Sequence, residues 1–195
     1  MFCLLNKGGH FKIIIFSIVS IILFFTHKQA TLFLSIFALY GFYHYRLHTE
    51  LKLQSCRFFL ISVICFAPLL TLVLSLSQYF FSEFPQQVIV NEFKNSSSWD
   101  RILFLIGISI FSPVIEELTF RVIIFKALKN YIGIFPSLFL ASLFFALIHQ
   151  NILALPTLFL IGFFFGYLYQ KYNTIAFPII AHALFNLFMG ILIIT

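Results

Sequence analysis

Long apolar runs alternate with short polar punctuation along this chain, and within each run the apolar residues are continuous. The runs fall at about 11–26, 31–45, 58–81, 101–115 (continuing as a helix to about 129), 134–149, 152–170 and 174–194. Crossing the ~30 Å of a bilayer's hydrocarbon takes about 20 helical residues, with roughly 17 the usual minimum. The pattern predicts an all-α, polytopic transmembrane helix bundle of about seven helices, within a range of six to eight. The two shortest runs, 11–26 and 31–45, read as thin spans or a re-entrant pair. A transmembrane barrel is disfavoured, because its strands alternate apolar and polar residues in short pieces.

Composition narrows the class. The 195 residues are 62% apolar and 9% charged, with 30 Phe, and the mean hydropathy is +1.06. A soluble domain carries about 25% charged residues, so soluble, nucleic-acid-binding, disordered and disulfide-scaffold classes are excluded together. We expect one integral membrane domain over 1–195, with accessory spans at about 11–82 and a motif-bearing core at about 100–195. Cys3, Cys56 and Cys65 are odd in number and lack CxxC spacing, so they read as thiols buried in lipid rather than as metal ligands or a disulfide. Lys7 and Lys12 before Ile13–Phe25 resemble a signal peptide, but no small-x-small cleavage site precedes Ala30. That stretch is read as a first span.

Loop charge sets the expected orientation. With alternating spans, one side collects Lys7, Lys12, Arg46, Lys52, Arg57, Lys126, Lys129 and Lys171, and the other collects Lys28, Lys94 and Arg101. The richer side is expected to be cytoplasmic, together with the N-terminus. Ser82–Asp100 is the one long polar connection and is expected to cap the opposite face. Pro113, Pro156 and Pro178 fall inside apolar runs, where each is expected to free backbone carbonyls and bend its helix.

Charge within a span is costly, about 2.5–3.5 kcal/mol per group on insertion scales. Against that cost, Glu116, Glu117 and Arg121 follow Pro113 in an apolar helix. Glu117 and Arg121 are spaced i,i+4, so one face carries a possible salt bridge, whereas Glu116 lies about 100° round the helix. One carboxylate is thus suited to structure and the other to chemistry. Phe145 and His149 end one apolar run, and His182 and Asn186 share a face of the last helix. His10, His27, His44 and His48 lie near span ends and read as interfacial.

EExxxR (Glu116, Glu117, Arg121), FxxxH (Phe145, His149) and HxxxN (His182, Asn186) occur in that order, each on a separate apolar helix. This set resembles the CPBP family, also called the CaaX-protease and bacteriocin-processing or ABI family, which includes the Ras-and-a-factor converting enzyme. The resemblance covers about residue 100 to the C-terminus. It implies a CPBP-like fold and an intramembrane glutamic endopeptidase. Glu116 would be the base that activates water, with His149 helping to hold or deprotonate it. His182 and Asn186 would stabilise the oxyanion, and Glu117, Arg121 and Phe145 would support them. Peptide hydrolysis requires such parts: a base, a water and donors aimed at developing charge.

Other intramembrane proteases fail on residues. Gly107-Ile108-Ser109-Ile110 misses the last position of a rhomboid GxSG, Asp100 is the single aspartate, and HExxH is absent. Glu116, His149 and His182 could in principle bind zinc, but nothing in their spacing requires it, and no cofactor or metal is expected. A peptide or membrane-protein substrate and the lipid bilayer are the expected partners, in a prokaryotic inner membrane, with no nucleic acid. Three alternatives remain: a non-catalytic membrane protein for bacteriocin immunity or partner binding, a zinc-dependent membrane protease, and a small proton-coupled transporter. Straight full-length spans would hold His149 and His182 too far apart to share a carbonyl. A turn at Gln150–Asn151 within the protein interior would bring them together.

Overall fold

A computed structural model describes residues 53–84 and 93–194. The runs expected at 11–26 and 31–45, with Cys3, His10, His27, His44 and His48, lie outside the described residues. The described residues are helical with no strands, so the fold is all-α. We number the helices α1 (Leu53–Phe81), α2 (Ser98–Ile132), α3 (Ile134–Leu147), α4 (Leu155–Tyr172) and α5 (Ala176–Ile194). Three stretches, Ser55–Phe81, Ser98–Ile132 and Ala176–Ile193, are long and apolar enough to cross a membrane.

The helix ends follow local chemistry. The Ser97 hydroxyl accepts from the Asp100 N–H at 3.2 Å, and the Asp100 carboxylate sits favourably at the positive end of α2. Gly133, at φ 81°, stops α2 in a conformation that costs a glycine little. α3 then runs only 14 residues, about 21 Å at 1.5 Å per residue, too short for a full crossing. The chain reverses over Ile148–Ala154, with Gln150 left-handed at φ 50° and Asn151 Oδ1 accepting from the Ala154 N–H at 3.1 Å.

Two of the three proline expectations need correction. Pro156 stands in the first turn of α4 and Pro178 in the first turn of α5. A helix's first N–H groups have no intrahelical acceptor, so proline there frees no carbonyl and bends nothing. Of the three, only Pro113 lies well inside a helix, and there α2 departs from α-helical winding. π-helical turns occupy Gly107–Phe111 and Leu118–Phe125, either side of the α-helical Ser112–Glu117.

Packing centres on the second of these turns, whose eight residues Leu118–Phe125 are all buried. Phe120, Ile123 and Phe125 pack with Leu138, Ala141 and Phe145 of α3. α3 and α4 approach closely because small residues face each other. A Cβ on Gly162 would lie 3.1 Å from Phe145 Cδ1 and 3.3 Å from Ser142 Cα. Such small-residue contacts are how membrane helices pack when lipid removes the hydrophobic drive. α1 lies along α4 and α5 through Phe66–Phe164 and Phe59–Phe177 ring stacks, with centroids 4.0 and 4.7 Å apart. Lys126, Lys129 and Lys171 gather at one end of the bundle, where Lys129 Nζ donates to Gln170 Oε1 at 2.8 Å and Lys126 lies over the Tyr169 ring at 5.8 Å. Basic and aromatic residues at such an end suit a membrane–water interface. Cys56 and Cys65 are free thiols.

Candidate active site

Glu117 and Arg121 occupy successive turns of α2, and neither side chain is exposed at all (0% each). Arg121 Nε donates to Glu117 Oε2 at 2.7 Å and Nη2 to Oε1 at 3.4 Å. The guanidinium also lies 5.4 Å from the centroid of the Phe145 ring, a cation–π contact suited to a charge out of water. Glu117 has a second task. His182 Nδ1 lies 3.1 Å from Glu117 Oε1, and a carboxylate already paired with arginine can only accept, so Nδ1 carries the proton. That bond fixes the ring and turns Nε2 the other way.

Nε2 faces Glu116. Its distance to Glu116 Oε2 is 3.8 Å, beyond a direct hydrogen bond and within the reach of a bridging water. The other Glu116 oxygen, Oε1, accepts from the Ser112 hydroxyl one turn earlier. Glu116 is therefore held by one oxygen, while Oε2 is buried with no protein hydrogen-bond partner. Its side chain is 13% exposed, compared with none for Glu117. The adjacent carboxylates thus differ in kind: one is neutralised inside the bundle, and the other is kept at the edge of it.

Phe145 joins the rest. The His182 ring lies 5.7 Å from it edge-on and stacks on Phe165 at 4.9 Å. The His149 ring is 4.9 Å from Phe145 on the turn after α3. His149 Nδ1 donates to the Phe145 carbonyl at 2.7 Å; the acceptor is a carbonyl, so this nitrogen bears the proton and Nε2 keeps the lone pair of the neutral ring. The short α3 and the turn that follows it bring both histidines against one phenyl ring. Asn186 reaches α2 at the turn preceding the Glu116 segment, where Nδ2 donates to the Ile108 carbonyl at 2.8 Å.

Three parts of this arrangement escaped the sequence reading. Ser112 stands i−4 from Glu116, a spacing that could have flagged it. Phe165 and the Ile108 carbonyl had no local signal, since each meets its partner only through the packing of α4 and α5. Among the described residues, no group of three or more His, Cys, Asp or Glu side chains is arranged to hold a metal ion.

Residues 98–188 match the family model described as type II CAAX prenyl endopeptidase Rce1-like. No curated protein and no solved structure matches the chain.

Proposed function

We propose that the chain, whose residues 98–188 match the Rce1-like family model of type II CAAX prenyl endopeptidases, is a metal-independent intramembrane glutamic endopeptidase acting on peptide or membrane-protein substrates. The observation that carries this reading is the orientation of Glu116: Oε1 on Ser112, and Oε2 buried and turned to His182 Nε2 at 3.8 Å.

Glu116 Oε2 takes a proton from a water whose oxygen attacks the scissile carbonyl carbon. His149, with Nδ1–H engaged by the Phe145 carbonyl, offers Nε2 to hold or deprotonate that water. The carbonyl oxygen becomes an oxyanion, met by the Asn186 amide and by His182 Nε2, which donates when the ring is charged. Glu116 then returns its proton to the amine as the C–N bond breaks. General-base catalysis accounts for about 10²–10⁴-fold in rate, and each oxyanion donor for about 10²–10³-fold. Glu117 and Arg121 hold the imidazole and cancel charge where no water can.

Cleavage of a farnesylated CAAX peptide by the protein in lipid nanodiscs tests the reading, alongside mass spectrometry of protein termini in the native membrane. Glu116→Gln is expected to lower cleavage on the order of 10³-fold or more with the fold retained, and His182→Ala to remove the same termini. Cleavage that survives Glu116→Gln would overturn the assigned base. Termini unchanged in both folded variants would favour a binding or immunity role.

A further inference from the structure

Pro113 and Asn186 meet at one backbone carbonyl. The turn Gly107–Phe111 runs in i→i+5 register, with the Ser112 N–H donating to the Gly107 carbonyl. The next bond in that register would run from residue 113 to the Ile108 carbonyl, but proline has no N–H to give. A carbonyl left without a donor inside a membrane protein is costly. The donor comes instead from α5, as Asn186 Nδ2 at 2.8 Å. Only the NH₂ end of an amide can bond a carbonyl, so the contact also decides which way the Asn186 side chain faces. One Nδ2 hydrogen is taken by Ile108, and the second stays available to a developing oxyanion.

We infer that Pro113 is a positioning residue: by withholding an N–H from the π turn, it leaves the Ile108 carbonyl as the mooring for the Asn186 amide. The inference rests on the oxyanion role proposed above for Asn186. A proline that only bent α2 would need no particular partner. A proline that moors Asn186 makes the two residues interdependent, because any residue 113 with an N–H competes with the amide for the same carbonyl.

The test uses the full chain in lipid nanodiscs, selectively ¹⁵N-labelled at asparagine. With seven asparagines in the chain, the Asn186 side-chain signal is assignable by its loss in Asn186→Ala. Pro113→Ala is expected to move that amide signal upfield while the melting temperature holds or rises. Asn186→Ala alone is expected to lower the melting temperature, and adding Pro113→Ala to restore it, since the new N–H satisfies the Ile108 carbonyl. On the farnesylated peptide, Pro113→Ala is expected to lower kcat on the order of 10-fold, leave KM within about twofold, and add nothing to Asn186→Ala. Pro113→Gly also supplies an N–H, and serves if the alanine variant misfolds. An Asn186 signal unmoved in both, or stability losses that simply add, would overturn the mooring. Full cleavage by Asn186→Ala would remove its oxyanion role, while the amide signal and the melting temperatures would still judge the mooring.

Discussion

α1 and α2 are both long apolar helices with an interior proline, and they solve opposite problems. In the most apolar stretch of α1 only 6% of residues are buried inside the described structure, against 28% in α2. α1 turns Leu60, Ile61, Ile64 and Leu72 outward. Two of its hydroxyls donate within their own helix: Ser62 to the Phe58 carbonyl and Thr71 to the Pro68 carbonyl, both at 2.8 Å. Pro68 is exposed, whereas Pro113 is buried, in the segment Ser112–Glu117 that α5 packs against. The buried middle of α2 carries two carboxylates and an arginine, Glu116, Glu117 and Arg121, whose contacts reach another turn or another helix. An apolar span needs only length and hydropathy. A span that buries a full ion pair needs it fixed from more than one side, as Glu117 is by Arg121 and His182.

The sharpest way to break this contrast is to remove one charge from α2. Arg121→Ala leaves the fully buried Glu117 unpaired, and loss of one partner from a buried pair costs about 3–5 kcal/mol. The expected result is a sharp fall in folded yield and melting temperature, together with loss of cleavage as His182 loses its fixed acceptor. The corresponding change in α1, Arg57→Ala at an exposed position, is expected to stay within about 0.5 kcal/mol. Size-exclusion profiles and thermal melts in nanodiscs compare the two directly. An Arg121→Ala protein as stable as the Arg57→Ala protein would mean that Glu117 is neutralised by another group.

The same contrast explains what the sequence could say. α1 and α5 were legible as spans because run length alone determines them, although among the described residues α1 is already helical at Leu53, ahead of the run at 58. The Glu117–Arg121 pair was legible because i,i+4 neighbours meet on any helix. The bond between His182 and Glu117 was not, because its partners lie 65 positions apart in the chain and nothing local specifies the meeting. The prolines show the limit most clearly. The pattern placed Pro113, Pro156 and Pro178 alike in apolar runs, yet their effects depend on whether a helix begins before or at the proline. The Ile108 carbonyl ahead of Pro113 takes its side-chain donor from Asn186 on α5, a contact that the α2 sequence by itself does not display.

A smaller effect is expected where α3 meets α4. Gly162 already places its backbone against Ser142 and Phe145, and an added Cβ would stand 3.1 Å from the Phe145 ring. Gly162→Val therefore pushes on the ring that both histidines contact, since neither the Ser142 backbone nor α4 can easily yield. Overpacking of this kind costs about 1–3 kcal/mol. Cleavage should fall further than stability alone explains, because Phe145 contacts Arg121, His149 and His182. Thermal melts and kcat on the same preparations check this, and activity that tracks only the folded fraction would remove Phe145 from the positioning role.

The smallest expected effect returns to α1. Ser77 and Thr157 form a buried hydroxyl pair at 3.5 Å between α1 and α4, and Ser62 meets the Tyr172 hydroxyl at 3.4 Å towards the other end. Hydrogen bonds between membrane helices average about 0.6 kcal/mol, because the separated helices also find partners for these groups. Ser77→Ala and Thr157→Val, measured singly and together, should give a coupling near that value and leave cleavage unchanged. A coupling of several kcal/mol, or cleavage that falls with it, would show that α1 is tied to the Glu116 machinery through α4. The division between a helix that only spans and a helix that works would then have to be redrawn.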